Sequence, residues 1–211
     1  MITAPQTFLT RRRTVAALAA GTLLAGLLSG CAGTPPADMD LYDLGPLKTG
    51  TASASPLPAI SIADIRAPAW MDSQMMFYRL NYANDLQPRP YSASKWTMPP
   101  AQLFEQRLKA SLARAGGVVV SASDGAINLP VLHLEADDFS QTFASAGSST
   151  VHVAIRASLF DGRVLRAQKN FVKPGPAATA DAKGGAAALA AASDAIISEV
   201  GAWLAALPPK K

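Results

Sequence analysis

The chain is 211 residues long, 49% hydrophobic, with one cysteine, two histidines and a formal charge of +4. Three of its 19 basic residues but none of its 15 acidic ones fall within the first 30, so the remaining 181 residues carry only +1. That balance gives no charge argument for nucleic-acid binding, the lone cysteine excludes an intramolecular disulfide, and 181 residues suffice for one domain with a buried core.

At the N-terminus, Arg11, Arg12 and Arg13 precede an apolar run from Val15 to Leu28. Its 14 residues fall short of the roughly 20 that a membrane-spanning helix needs, and a basic segment before a short apolar one has the form of a cleavable signal peptide over residues 1–30. Leu28-Ser29-Gly30-Cys31 closes the run and resembles the lipobox of bacterial lipoproteins. Small residues at 29 and 30 admit a signal peptidase, and the thiol of Cys31 is the nucleophile that takes a diacylglyceryl group. Stable anchoring takes more than one acyl chain, which a multiply acylated Cys31 supplies alone. Thr10-Arg11-Arg12-Arg13 also resembles a twin-arginine export motif, so both export routes stay open. Ala32 rather than aspartate follows the cysteine, which by the behaviour of lipoproteins implies sorting to the periplasmic face of the outer membrane rather than retention at the inner one.

Residues 31–58 are rich in Pro, Gly, Ser, Thr and Ala and read as a lipidated tether. About 27 residues of such chain would reach on the order of 30 Å as a random coil. Within them the apolar cluster from Met39 to Leu44 could add an edge strand. The folded domain is assigned to residues 59–207. Ile60, Ile62 and Ile65 predict a strand ending before Pro68. From Met75 to Tyr82, Met76, Tyr78, Leu80 and Tyr82 fall on one side of a strand and Met75, Phe77, Arg79 and Asn81 on the other. After the breaker Pro88-Arg89-Pro90, a third short segment runs from Tyr91 to Trp96. Pro99-Pro100 opens a helix whose apolar residues Leu103, Phe104, Leu108 and Leu112 recur at helical spacing, and Gly116-Gly117 ends it.

Val118 to Ser121 reads as a short buried strand, and Leu132, Leu134 and Ala136 alternate with His133, Glu135 and Asp137. Val151, Val153, Ile155, Ala157 and Leu159 alternate most regularly, and Asp161-Gly162 turns the chain into a hairpin partner, Val164 to Val172. Lys173 to Gly185 reads as irregular, and Leu189, Ile196, Val200, Trp203 and Leu207 form the stripe of a C-terminal helix. The pattern predicts an α+β fold: a mainly antiparallel sheet with two helices packed on one face.

Signatures of catalysis are missing from this pattern. His133 and His152 fall on the polar side of alternating strands, and Glu135, Asp137 and Asp138 read as a solvated strand edge. No phosphate-binding glycine loop, nucleophile elbow or H-E-x-x-H occurs; no catalytic residue, metal or cofactor is expected. What stands out is an aromatic cluster, Trp70, Phe77, Tyr78, Tyr82, Tyr91 and Trp96, flanked by Arg79, Arg89 and Lys95. Aromatics and arginine anchor interfaces, so Trp70, Tyr78, Arg79, Tyr91 and Trp96 are candidate partner-binding residues.

Several of these residues also carry a family resemblance. Tyr42-Asp43-Leu44-Gly45, Ala67-Pro68-Ala69-Trp70-Met71-Asp72-Ser73, Tyr78-Arg79, Tyr91, Ser94, Trp96 and Pro99-Pro100 lead on to Leu134-Glu135, Phe139, Gln141, Phe143, Arg156-Ala157, Phe171, Asp181-Ala182 and Trp203-Leu204. Over residues 41–205 this succession resembles the auxiliary lipoproteins of ABC-type, MCE-protein-containing lipid transport systems. The resemblance implies a non-enzymatic lipoprotein that docks a periplasmic conduit. Its implied partners are an MCE-domain protein and an ABC permease, together with the membrane through acylated Cys31. It further implies homo-oligomerisation. Two other readings stand beside it. A freestanding lipid carrier predicts a cavity lined by Met75, Met76, Phe77 and the helix stripes, where a docking module predicts a filled core, and a regulatory lipoprotein would activate a cell-wall synthase.

Overall fold

The computed structural model describes residues 38–47 and 57–208; the predicted signal peptide, Cys31 and tether residues 32–37 and 48–56 lie outside the described residues. The chain forms β1 (Asp40–Tyr42), β2 (Ile60–Ile62), a 3₁₀ turn (Ala69–Met71), β3 (Met75–Leu80), β4 (Asn84–Trp96), α1 (Pro100–Arg114), β5 (Val119–Ser121), β6 (Val131–Ser145), β7 (Ser148–Asp161), β8 (Val164–Pro176) and α2 (Ala182–Ala206).

All eight strands join one sheet. It is mixed, not mainly antiparallel: β1 with β4, β2 with β5, β2 with β6 and β3 with β6 are parallel, whereas β3–β4, β6–β7 and β7–β8 are antiparallel. The long strand β6 explains this. Its one edge pairs with β7 from Val131 to Ser145. Along the opposite edge the chain travels one way, placing β2 beside Val131 and Leu132, Arg66 beside Glu135, and β3 beside Gln141 to Phe143. Between Arg66 and Met75 it leaves β6 and returns, so the sheet forks into a β3–β4–β1 branch and a β2–β5 branch. The helix α1 supplies the crossover that parallel neighbours require.

Local chemistry accounts for the departures from the expected elements. The strand β4 runs straight through Pro88 and Pro90 instead of starting after them. A proline cannot donate to a ladder, but this stretch pairs only with β3, with register shifts, and β1 covers only Ser94 to Trp96. In β6 the buried series Leu132, Leu134, Ala136 changes phase to Phe139, Gln141, Phe143. A bulge between Ala136 and Asp138 inserts the extra residue. The strand β5 is half-buried rather than buried, because it is an edge. The stretch expected to be irregular is divided: β8 continues to Pro176 and α2 begins at Ala182. Asp181 caps α2, its carboxylate accepting from the Gly184 N–H at 2.7 Å. The Met39–Leu44 cluster does enter the sheet as β1, with Leu44 buried, so part of the segment assigned to the tether belongs to the fold.

One core joins Ile60, Ile62, Met76 and Trp96 to Leu103, Phe104, Leu108 and Leu112 of α1, the inner faces of β6 and β7, and Leu189, Ile196, Val200 and Leu204 of α2. The helix α2 packs against β7 and β8, and α1 against β5, β6 and α2. By length and apolar composition alone α2 is long enough to cross a membrane, but its buried side chains complete this core.

Candidate functional site

The aromatic cluster is divided by the sheet. Trp96 is 1% exposed and meets Phe139 edge-on at 5.6 Å, so it is a core residue and offers no surface to a partner. Its position on β4 opposite Tyr42 of β1, inside the sheet, is what buries it. Tyr78 and Tyr91 stack at 4.6 Å, and Tyr78 also meets Phe143 at 5.6 Å. Both are half-buried against the inner side of the β3–β4–β6 seam.

Beneath them lies a polar node. The Tyr91 hydroxyl donates to Gln141 Oε1 at 2.9 Å, and Gln141 Nε2 donates to Ser149 Oγ at 2.7 Å and to the Asp181 carbonyl at 3.2 Å. Gln141 is thereby satisfied although 1% exposed. Burial pushes the Tyr91 phenol well above its ordinary range, and the neighbouring Tyr78 and Asp181 add to this. The node ties β4, β6 and β7 to the start of α2, where Gly185 passes so close to Gln141 that any side chain would overlap its amide. These tyrosines position elements more than they present a surface.

Trp70 and Arg79 are half-buried as well, Trp70 packing in part against the core. Trp70, in the 3₁₀ turn, meets Phe77 edge-on at 5.5 Å and 87°, and Arg79 Nη1 donates to the Asp85 carbonyl at 3.1 Å across the β3–β4 hairpin. Beside them the sheet carries exposed apolar side chains outside the candidate set: Met39 is 46%, Leu41 59% and Met75 53% exposed. Register places them together, since Leu41 of β1 and Met75 of β3 both pair with Lys95 of β4. The signal was present in sequence, because Met75 and Phe77 place two large apolar side chains on the outer face of β3 beside Arg79.

The N-terminal segment is latched to the helices from the other side. Arg107, 7% exposed, binds Asp194 of α2 through Nε at 2.6 Å and Nη2 at 2.9 Å, and its Nη1 donates to the Gly45 carbonyl at 2.7 Å. Glu105 accepts from the Ile65 N–H at 2.7 Å and from Lys109 at 2.7 Å, fixing the chain where the sheet forks. Near this fork Ile65, Arg66, Ala67, Met71, Pro99 and Gln102 line a cleft of about 410 Å³. Met75, Met76 and Phe77 do not enclose a common cavity: Met76 is core, Met75 is exposed and Phe77 packs on Trp70.

The remaining polar strand residues are engaged at the surface. Glu135 and Asp137 flank Arg156 at 3.1 and 2.8 Å, and His133 meets Phe160 edge-on at 5.1 Å. Among the described residues no group of three or more His, Cys, Asp or Glu is placed to hold a metal ion.

A family model described as the ABC-type transport auxiliary lipoprotein component matches residues 42–201, from β1 into α2. The chain belongs to this family. Its members are lipoproteins, anchored at a membrane of the cell envelope, and are auxiliary to ABC-type transport. Among solved structures, protein XCC0632 from Xanthomonas campestris is similar at 18% identity and a TM-score of 0.63, covering 79% of this chain and 91% of its own. An uncharacterized protein is similar at 14% identity and a TM-score of 0.64, covering 79% and 99%. These two likenesses concern the fold. No curated protein matches the chain.

Proposed function

We propose that this family member is a non-enzymatic, lipid-anchored docking component of an MCE/ABC-type intermembrane lipid transport system. It is held by acylated Cys31 at the periplasmic face of the outer membrane, and its partners are an MCE-domain protein and an ABC permease. The observation that carries this reading is the family match from Tyr42 to Gly201, joined to the lipobox that ends at Cys31. A packed core supports a docking module over a freestanding carrier, because the side chains a carrier would need around its cargo face opposite sides of the sheet. Trp70 and Arg79, half-buried at the rim of the β3 branch, are assigned to the partner surface. Self-association belongs to the same proposal and is read from the native mass of the anchored protein.

Affinity purification of the full-length lipoprotein from crosslinked envelopes, with Cys31→Ala as control, tests this reading. Recovery of an MCE protein and an ABC permease with the wild type, and their loss with Cys31→Ala, is expected. Recovery of cell-wall synthases in their place would overturn it in favour of the regulatory reading.

A further inference from the structure

On the β1–β4–β3 branch the outer face of the sheet gathers exposed apolar side chains from β1 and β3. Leu41, Lys95 and Met75 stand in one row across three strands, spaced about 4.8 Å apart by the strand separation. Met39 extends the row by two residues along the same side of the chain, and the Trp70–Phe77 pair borders it. Lys95 forms no ion pair among the described residues. A cation on a long methylene stem set between exposed apolar side chains is suited to a surface that is apolar below and anionic above.

Chain length says which surface that is. Only seven residues lie between Cys31 and Met39, and the eight steps from one to the other, at 3.3–3.6 Å each, span at most about 30 Å when fully extended. A domain of this size has a radius of gyration of about 15 Å and is therefore about 40 Å across. The leash is shorter than the domain is wide, so an anchor at Cys31 holds the β1 edge, and with it this face, toward the bilayer.

We propose that the outer face of the β1–β4–β3 branch rests on the membrane to which the chain's own anchor ties it, with Met39, Leu41 and Met75 in the headgroup region and the Lys95 ammonium on lipid phosphate. The inference rests on the lipid-anchor reading of Cys31. It orients the domain: the β7–β8 side and α2 point away from the anchoring membrane and into the periplasm.

Once acylated, Cys31 leaves no other thiol, so a single introduced cysteine can be labelled alone. Full-length lipidated protein carrying Leu41→Cys or Met75→Cys is labelled with an environment-sensitive fluorophore and reconstituted on vesicles of phosphatidylethanolamine and phosphatidylglycerol. Ser198→Cys, on the exposed side of α2, is the control. Interfacial burial by roughly 5–10 Å predicts a blue shift and about twofold quenching by shallow spin-labelled lipid at 41 and 75 but not at 198. Lys95→Glu beside Leu41→Cys is expected to reverse most of that quenching. If the protein floats with the vesicles while positions 41 and 75 stay as exposed as 198, the face proposal fails and the anchor stands. If the protein does not float, the anchor reading fails and the face proposal falls with it.

Discussion

The two sides of β6 are built on different rules. On one side β6, β7 and β8 form an antiparallel meander with nearly continuous register, in which Val151, Val153, Ile155, Ala157 and Leu159 are all buried. On the other, β2 and β3 share a single edge of β6, β4 shifts register twice against β3, and both β1 and β5 are three-residue edges. The meander stands on alternation repeated along every strand. The forked side stands on a few side chains that reach across it: Arg107 on the N-terminal segment, Glu105 at the fork, and Gln141 under the aromatic seam. Regular pairing distributes stability over many small terms, whereas irregular pairing concentrates it in individual residues.

If that contrast is right, the largest single loss falls on the forked side. Arg107→Met should cost about 3 kcal/mol, because it strands the Asp194 carboxylate in a largely buried position. The Gly45 carbonyl loses its donor at the same time. Chemical denaturation measures the loss, and amide exchange in Asp40 to Tyr42 should rise with it. Normal protection of β1 in this variant would show that strand pairing alone holds the segment.

The seam between the two sides comes next. Gly185→Ala should destabilise by about 1–3 kcal/mol through overpacking against Gln141. Helix propensity alone predicts a gain of about 1 kcal/mol. Gly201→Ala in the same helix is the contrast, since its added methyl would make an ordinary van der Waals contact with Leu112 at 3.4 Å. A melting-temperature rise for both variants would mean that the polar node yields easily.

A smaller, pH-dependent effect is expected at the start of α2. The Gly184 N–H and then the Thr179 hydroxyl hold the Asp181 carboxyl below its ordinary value of 3.8, with desolvation opposing them. A carboxyl more acidic folded than unfolded stabilises the fold above its unfolded value, and that contribution disappears as pH falls through the folded one. Exchange at Lys183 and Gly184 should therefore accelerate below about pH 4 in the wild type. Asp181→Asn retains a capping oxygen without the titration and should flatten that limb.

The smallest change belongs to the meander. Arg156→Gln removes two ion pairs with Glu135 and Asp137, whose side chains are 41% and 49% exposed. It should cost under about 0.5 kcal/mol. A loss comparable to that of Arg107→Met would erase the distinction between the two sides.

Legibility in the sequence follows the same division. The β7–β8 hairpin, the turn at Asp161-Gly162 and the apolar stripes of α1 and α2 could be read from period and turn chemistry, since each depends on neighbours close in the chain. The passage of β4 through Pro88 and Pro90 could not, because a proline is tolerated only where no partner needs its missing N–H, and that depends on where β1 ends. Trp96 shows the limit for the site. Its residue type suits an interface and a core equally well, and the parallel addition of β1 beside it decided for the core.

By itself the sequence determined the periodic elements, the +1 balance beyond residue 30 and the lipobox ending at Cys31. These depend on charge, local backbone preference and the spacing of apolar residues within a segment. Tertiary structure alone decided that β6 is lined by two parallel strands on one edge. It also decided that Tyr78 and Tyr91 turn inward over Gln141 and that Met39, Leu41 and Met75 gather outward around Lys95. Those arrangements join residues far apart in the chain, Ser61 to Val131 and Tyr91 to Gln141 among them, and no local periodicity encodes which distant strand a given edge will meet.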